Sequence, residues 1–228
     1  MSAGESAGNR PWQREVGELD ETRARGEIDD AAWFAGMAGI YEAAYLGAGN
    51  PRAQSGFGGC EARWEAARRP IADAIDRDGT FLDVGCASGY LLECMVGWAA
   101  PHRIEPHGLD LVPALAELAR SRLPDLTDRI FVGNALNWEP PRRFDFVRTE
   151  LVYVPEARRR VFTERLLREV VAPHGRLILC GYGSPRSGVP TDPVRSSVRS
   201  FGLEPELEWE VEAPEGGGPI VELAVLRS

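Results

Sequence analysis

The stretch FLDVGCASGYLLE (81–93) carries the clearest chemical signal in the chain. An apolar run ends in Asp83, a tight turn holds Gly85 and Gly89, and a helical pattern begins at about Gly89. Glycines at such a turn let the backbone bend sharply and approach a ligand with no Cβ in the way. The helix start then offers unpaired N–H groups to an anionic part of that ligand. A dinucleotide loop of the form G-x-G-x-x-G, counted from Gly85, needs glycine at 87 and 90. Ala87 and Tyr90 stand there, so the pyrophosphate reading fails on spacing. A second carboxylate, Asp110 in HGLDL, follows Asp83 by 27 positions. That interval suits a hydrogen bond to both hydroxyls of a ribose.

Other chemistries are excluded by what is missing. The 26 cationic residues are all arginine, so Schiff-base chemistry, a phosphate-loop lysine and a lysine general base are impossible. Cys60, Cys86, Cys94 and Cys180 show no C-x-x-C spacing and read as buried or semi-buried thiols of a reducing compartment. His102, His107 and His174 lack the spacing of a helical metal pair, and no metal site is expected. A formal charge of −9 over 228 residues repels a phosphate backbone unless a basic patch is concentrated locally. No apolar run approaches the roughly 20 residues of a membrane helix. The first 28 residues are too polar for a secretory leader. The expectation is a cytoplasmic domain with no nucleic-acid or membrane partner.

The elements that must position these carboxylates follow from periodicity. Residues 1–28 read as a frayed tail, and 29–46 as an amphipathic helix capped by Asp29 or Asp30. A glycine-rich loop (47–59) and a helix over 61–77, divided by Pro70, come next. After Gly79, short apolar runs at 80–84, 103–110, 129–133, 144–148 and 176–182 alternate with helical patterns at 89–99, 113–123 and 156–172. That alternation predicts an α/β doubly wound, mostly parallel sheet. Residues 191–202 read as a last helix, and 203–228 as an antiparallel hairpin at the sheet edge.

The loop D-V-G-C-A-S-G resembles the nucleotide loop of class I S-adenosylmethionine-dependent methyltransferases, with Ala87 in place of the usual middle glycine. FDFVRTELVYVP matches that family's fourth strand, APHGRLILCGY the run into its fifth, and the terminal hairpin its reversed seventh strand. The resemblance covers residues 61–228, leaving 1–60 as a tail and lid helices, and implies a seven-stranded Rossmann-like sheet. It implies S-adenosylmethionine as cofactor, held by Asp83, Gly85, Ala87, Gly89, Asp110, Leu111, Asn134, Ala135 and Thr149, with Arg63 reaching the methionyl carboxylate. Many relatives carry aspartate where Asn134 stands.

In an open parallel sheet the ligand lies at the carboxyl ends of the strands, near the switch point. All three histidines then fall at the opposite edge, and no histidine base is expected. The implied reaction is in-line methyl transfer to N or O of a small molecule, by positioning rather than by metal or histidine. For a phenol or alcohol acceptor, Glu150 or Tyr153 is best placed to take or polarise the proton. Glu150 also reads as a solvated loop acid, and Tyr153 as packing. Tyr41, Tyr45, Phe57, Trp64, Arg148 and Tyr182 are candidate substrate walls, though core packing at helical spacing better explains Tyr41, Tyr45, Phe57 and Trp64 taken singly. Arg148 suggests an anionic ligand, or pairs with Asp145 or Glu150. The run 158–160 (RRR) reads as a solvated face, and Trp138 as an adenine cover or a sheet plug. Two alternatives stand beside this: a nucleic-acid or protein methyltransferase, which RTEL at the fourth-strand tip disfavours, and a non-catalytic cofactor-binding subunit. The sequence leaves a homodimer open.

Overall fold

A computed structural model describes residues 11–228. Its helices are α1 (Pro11–Ala24), α2 (Asp30–Leu46), α3 (Glu61–Arg68), α4 (Tyr90–Trp98), α5 (Pro113–Arg122), α6 (Arg159–Arg165) and α7 (Val194–Ser200). Its strands are β1 (Gly79–Val84), β2 (Ile104–Asp110), β3 (Ile130–Val132), β4 (Phe144–Thr149), β5 (Val171–Tyr182), β6 (Leu207–Glu212) and β7 (Pro219–Arg227). They form one seven-stranded sheet in the order β3-β2-β1-β4-β5-β7-β6. β1 through β5 pair in parallel, and β7 runs antiparallel to both its neighbours. β7 therefore inserts between β5 and β6, and the edge strands are β3 and β6.

Alternation along the strands sends neighbouring residues to opposite faces. Phe81, Phe146, Ile178 and Cys180 face a core built with α3, α4 and α5, while Leu82, Val147, Leu177 and Leu179 face one built with α2, α6 and α7. Each such fully buried Leu or Phe is worth about 1.5–3 kcal/mol in removed apolar surface. α2 starts where expected, because the Asp29 carboxylate accepts the Ala32 N–H at 2.8 Å. It lays Trp33, Phe34 and Met37 into the second core.

Three expectations need correction. The tail read over 1–28 holds α1 from Pro11; residues 1–10 lie outside those described. Few apolar residues mark α1, so its helix depends on tertiary contacts. Val16 and Leu19 pack on the core, Trp12 sets its ring against Tyr41 and Tyr45, and Asp20 accepts the Trp33 indole N–H at 2.8 Å. The helix read over 61–77 ends at Arg68 and tightens into a 3-10 turn (Arg69–Ala74) carrying Pro70. The helix read over 156–172 is α6 alone, continued by a π-helical turn (Leu166–Val170) and followed directly by β5.

The segment after β5 folds back over the strand tip. Asp192 donates its N–H to the Tyr182 carbonyl at 3.4 Å, and its own carbonyl lies against Gly181, where a Cβ would overlap it. Gly181→Ala is expected to destabilise the fold by about 1–3 kcal/mol, since backbone must move to admit the methyl group. Urea unfolding of this variant checks the packing; wild-type stability would contradict it.

Candidate active site at the strand tips

The sheet changes direction between β1 and β4, and the carboxyl ends of β1, β2, β4 and β5 surround the resulting crevice. On its β1–β2 side, Gly85 and Gly89 both adopt positive φ (84° and 73°), the left-handed region that favours glycine. Ala87 adopts it too, with φ 45°. Its conformation is fixed by Asp110: Oδ2 accepts the Ala87 N–H at 2.8 Å and Oδ1 the Val112 N–H at 2.8 Å. Each oxygen keeps a further lone pair for a ligand hydroxyl. Burial pushes the Asp110 carboxyl up to about 6, against the pull of those two N–H groups.

The third strand delivers Asn134 and Ala135 to the same edge. Asn134 Oδ1 accepts the Leu136 N–H at 2.9 Å, which sets the turn and leaves one lone pair. Leu111 and Ala135 are half-buried against the α2 side of the sheet. Trp138 lies on Phe131 (centroids 5.3 Å apart) and over Gly133, and so plugs the sheet edge.

On the β4–β5 side stands a buried charge network. Arg148, 2% exposed, donates from Nη1 to Asp83 Oδ1 at 3.1 Å and from Nη2 to Glu150 and to the Tyr182 hydroxyl at 3.2 Å. The Tyr153 hydroxyl donates to the same Glu150 Oε1 at 2.7 Å. Burial raises the Tyr153 phenol well above its ordinary value, and the neighbouring Glu150 carboxylate adds to this, so Tyr153 remains a donor. Burial also pushes the Asp83 carboxyl upward against the pull of Arg148. Thr149 is fully buried, and its hydroxyl has no partner among the described residues.

These contacts revise several readings. Glu150 is not a solvated acid but a half-buried anchor for two donors, and Arg148 pairs with Asp83 and Glu150 rather than Asp145, which binds Thr80. Arg63 turns away from the crevice to Glu215 on the β6–β7 turn. Of the RRR run, Arg158 and Arg160 are exposed as read, although Arg158 also bonds Asp30 at 2.6 Å, whereas Arg159 is half-buried and lies 3.9 Å from Asp192. Cys60 is exposed, against the expectation for the thiols. His102 precedes β2, His107 is buried within it, and His174 lies in the turn that opens β5; none is at the crevice.

The predicted substrate walls divide. Tyr182 and Trp64 reach the crevice side, Trp64 within its lining and 1% exposed. Phe57 packs edge-on against Trp64 at 5.4 Å. Tyr41 and Tyr45 stack on each other at 5.3 Å beneath Trp12, and Tyr45 covers Gly56. The residue missed by sequence reasoning is Arg68, buried at the end of α3 and lining the crevice. Lying next to Arg69 in a predicted helix, it carried no signal of its own.

The crevice is shut in this conformation. Its interior holds only about 20 Å³, the space of a single water. The Tyr153 ring lies directly on Gly85, where any Cβ would overlap it, and the 47–59 loop is strapped down by Ser55 Oγ to Ser88 Oγ at 2.8 Å. Ser88 also bonds the Pro51 carbonyl at 3.0 Å. Uptake of a nucleoside requires Tyr153 and this strap to swing aside.

Ala87→Gly is expected to raise stability by about 0.5–1 kcal/mol, because glycine relieves the left-handed strain at the cost of some chain entropy and one buried methyl group. An unchanged or lower urea midpoint would show that the loop is not strained at this position.

No protein-family profile and no curated protein matches the chain. Solved structures do match. Burkholderia thailandensis 1,6-didemethyltoxoflavin-N1-methyltransferase, solved with 1,6-didemethyltoxoflavin and S-adenosylhomocysteine, superposes with TM-score 0.60 at 15% identity over 88% of this chain and 91% of that one. The mitomycin 7-O-methyltransferase MmcR gives 0.59 at 17% identity over 96% and 69%. A SAM-dependent methyltransferase from Aquifex aeolicus gives 0.54 at 16% identity over 78% and 100%. At these identities the likeness is one of fold. In strand order, reversed seventh strand and ligand crevice, the chain has the fold of the class I S-adenosylmethionine-dependent methyltransferases.

Proposed function

We propose that the chain transfers a methyl group from S-adenosylmethionine to nitrogen or oxygen of a small-molecule acceptor, leaving S-adenosylhomocysteine. The observation that carries this reading is Asp110. Its two oxygens are fixed side by side at the β2 tip by backbone N–H groups, each with a lone pair left, which is the acceptor pair that a ribose diol requires. The rest of the crevice fits the same ligand. Gly85 and Gly89 permit close backbone approach, and Asp83 and Glu150 supply carboxylates near where a sulfonium and an ammonium would lie.

When bound, the sulfonium supplies an activated methyl group and a neutral thioether leaving group. The protein's share is to hold both reactants in line and keep water out. Asp110, with Asn134 and the Ala135 N–H at the β3 tip, is the adenosine grip. Arg148 fixes Glu150, and Glu150 fixes the Tyr153 hydroxyl, so a proton donor and a carboxylate stand together at the β4 tip. Glu150 is the group that takes a proton from a phenol or alcohol acceptor; Tyr153, held as a phenol, orients rather than deprotonates. An amine that reaches the site neutral needs neither. Helices α1 and α2 with the 47–59 loop form the cover over the acceptor.

Small-molecule acceptors are favoured by the net charge of −9 and by a cover built from aromatic and apolar side chains. Two of the superposed enzymes carry small molecules in their names.

Calorimetry with S-adenosylhomocysteine tests the reading. Binding is expected, and Asp110→Ala should weaken it by about 1–3 kcal/mol, the scale of lost hydrogen bonds to a charged group. Unchanged affinity in this variant would remove Asp110 from the ribose site.

A pH dependence follows as well. The folded Asp110 carboxyl titrates at about 6, above the roughly 3.9 of an unfolded aspartate. This group therefore lowers fold stability as pH rises from about 4 to 6 and contributes no slope above that. The diol prefers the ionised form, so S-adenosylhomocysteine affinity should hold above pH 7 and fall as pH drops through 6. Calorimetric titrations from pH 7.5 to 5 check this; a flat profile contradicts it.

A further inference from the structure

Most buried arginines of the sheet layer have carboxylate partners. Arg148 has Asp83 and Glu150, Arg176 has Asp76 and Glu206, and Arg63 has Glu215. Arg68 is the exception. It is 9% exposed, and its guanidinium makes no hydrogen bond and no ion pair among the described residues. Three rings hold it instead. Its central carbon lies 3.3 Å from the Tyr182 ring centre, 5.1 Å from Trp64 and 5.5 Å from Phe57.

Ring faces attract positive charge through their quadrupole and do not select a cation by its hydrogen bonds. The three rings therefore form a cage for a cation in general, and a guanidinium suits it poorly, because its five N–H donors find no acceptor there. A methylated ammonium has no such donors to satisfy and sets its methyl groups directly on the ring faces. The cage also adjoins the groups assigned to the acceptor. Trp64 and Arg68 line the crevice with Asp83 and Glu150, while Phe57 and Tyr182 are only half-buried. The Tyr182 hydroxyl accepts from Arg148 Nη2, the same nitrogen that holds Glu150. One wall of the cage is thus tied to the carboxylate at the β4 tip.

We propose that Phe57, Trp64 and Tyr182 are a cage for a methylated ammonium group on the acceptor, and that Arg68 is a tethered competitor for it. This names the acceptor class, a small molecule with an alkylated ammonium head. It rests on the methyl-transfer reading for calling that molecule the acceptor. The ammonium serves as an anchor; the atom that receives the methyl group is a different one, on the Glu150 side. The long, flexible arginine stem lets the guanidinium withdraw while α3 stays in place.

The test titrates choline against 3,3-dimethyl-1-butanol, its neutral carbon isostere, by calorimetry on the full chain. Wild-type protein should bind choline about tenfold tighter or more, the scale of a desolvated cation–π contact. Arg68→Ala, which empties the cage, should bind choline severalfold tighter still, with the preference over the isostere kept. Tyr182→Leu removes the nearest ring and should reduce that preference to about threefold or less. Should either variant fail to fold, Phe57→Leu, on a loop outside the sheet, should still narrow the preference severalfold.

Equal affinities for the two probes, or no choline binding in wild type and Arg68→Ala alike, overturn the proposal. So does choline binding that Arg68→Ala weakens, or a full preference that survives loss of the rings. S-adenosylhomocysteine is titrated alongside. Protein that binds choline as stated but not the nucleoside keeps the cage and overturns the methyl-transfer reading, and with it the naming of the cation as acceptor.

Discussion

The crevice is organised by one buried carboxylate. Asp110 ties the end of β2 to the glycine loop after β1 and to the start of α5, using one oxygen for each backbone N–H. A left-handed alanine costs about 1–2 kcal/mol. A hydrogen bond to a charged group returns about 1.5–3 kcal/mol. The carboxylate therefore has enough in hand to hold Ala87 in a conformation that glycine would adopt freely. The cost falls on Asp110 itself, whose buried charge lifts its carboxyl to about 6. A ligand diol that donates to the remaining lone pairs would relieve that cost. Fold and ligand affinity thus share a single group.

The other half of the crevice works by charge matching. Arg148 stands in a buried strand position, opposite Asp83 on β1 and Ile178 on β5, and is kept there by Asp83, Glu150 and Tyr182. Removing one partner would leave an uncompensated buried charge, which is expensive. The network therefore fixes Glu150 firmly, while Tyr153 is tied to it by one hydroxyl bond and the loop above by a few hydrogen bonds. A rigid floor with a lightly fastened cover suits a site that must open for a nucleoside and then exclude water.

Much of the fold was legible because its signals are local. Asp29 caps α2, Pro113 opens α5, and the runs at 80–84, 103–110 and 144–148 became the strands that reach the crevice. α1 was missed because its apolar residues are sparse, and its helix is bought by Trp12 on Tyr41 and by the Asp20–Trp33 bond, both long-range. The length of the helix before β5 was overread for a related reason: a π turn keeps helical spacing of apolar residues such as Leu166 and Val170 right up to the strand. At the site, the carboxylates could be placed from spacing, whereas arginine partners could not. Arg63 and Arg68 lie five positions apart on one short helix, and it takes the folded chain to pair Arg63 with Glu215 and set Arg68 among Phe57, Trp64 and Tyr182 at the crevice.

Because the crevice is closed over Gly85 by Tyr153, the adenosyl account demands a specific movement, and a crystal structure with S-adenosylhomocysteine tests it most directly. The account predicts both ribose hydroxyls on Asp110, the adenine beside Asn134 and Ala135, and the Tyr153 ring displaced from Gly85. A nucleoside bound elsewhere, with Tyr153 still on Gly85 and Asp110 bonded to the backbone alone, would contradict it.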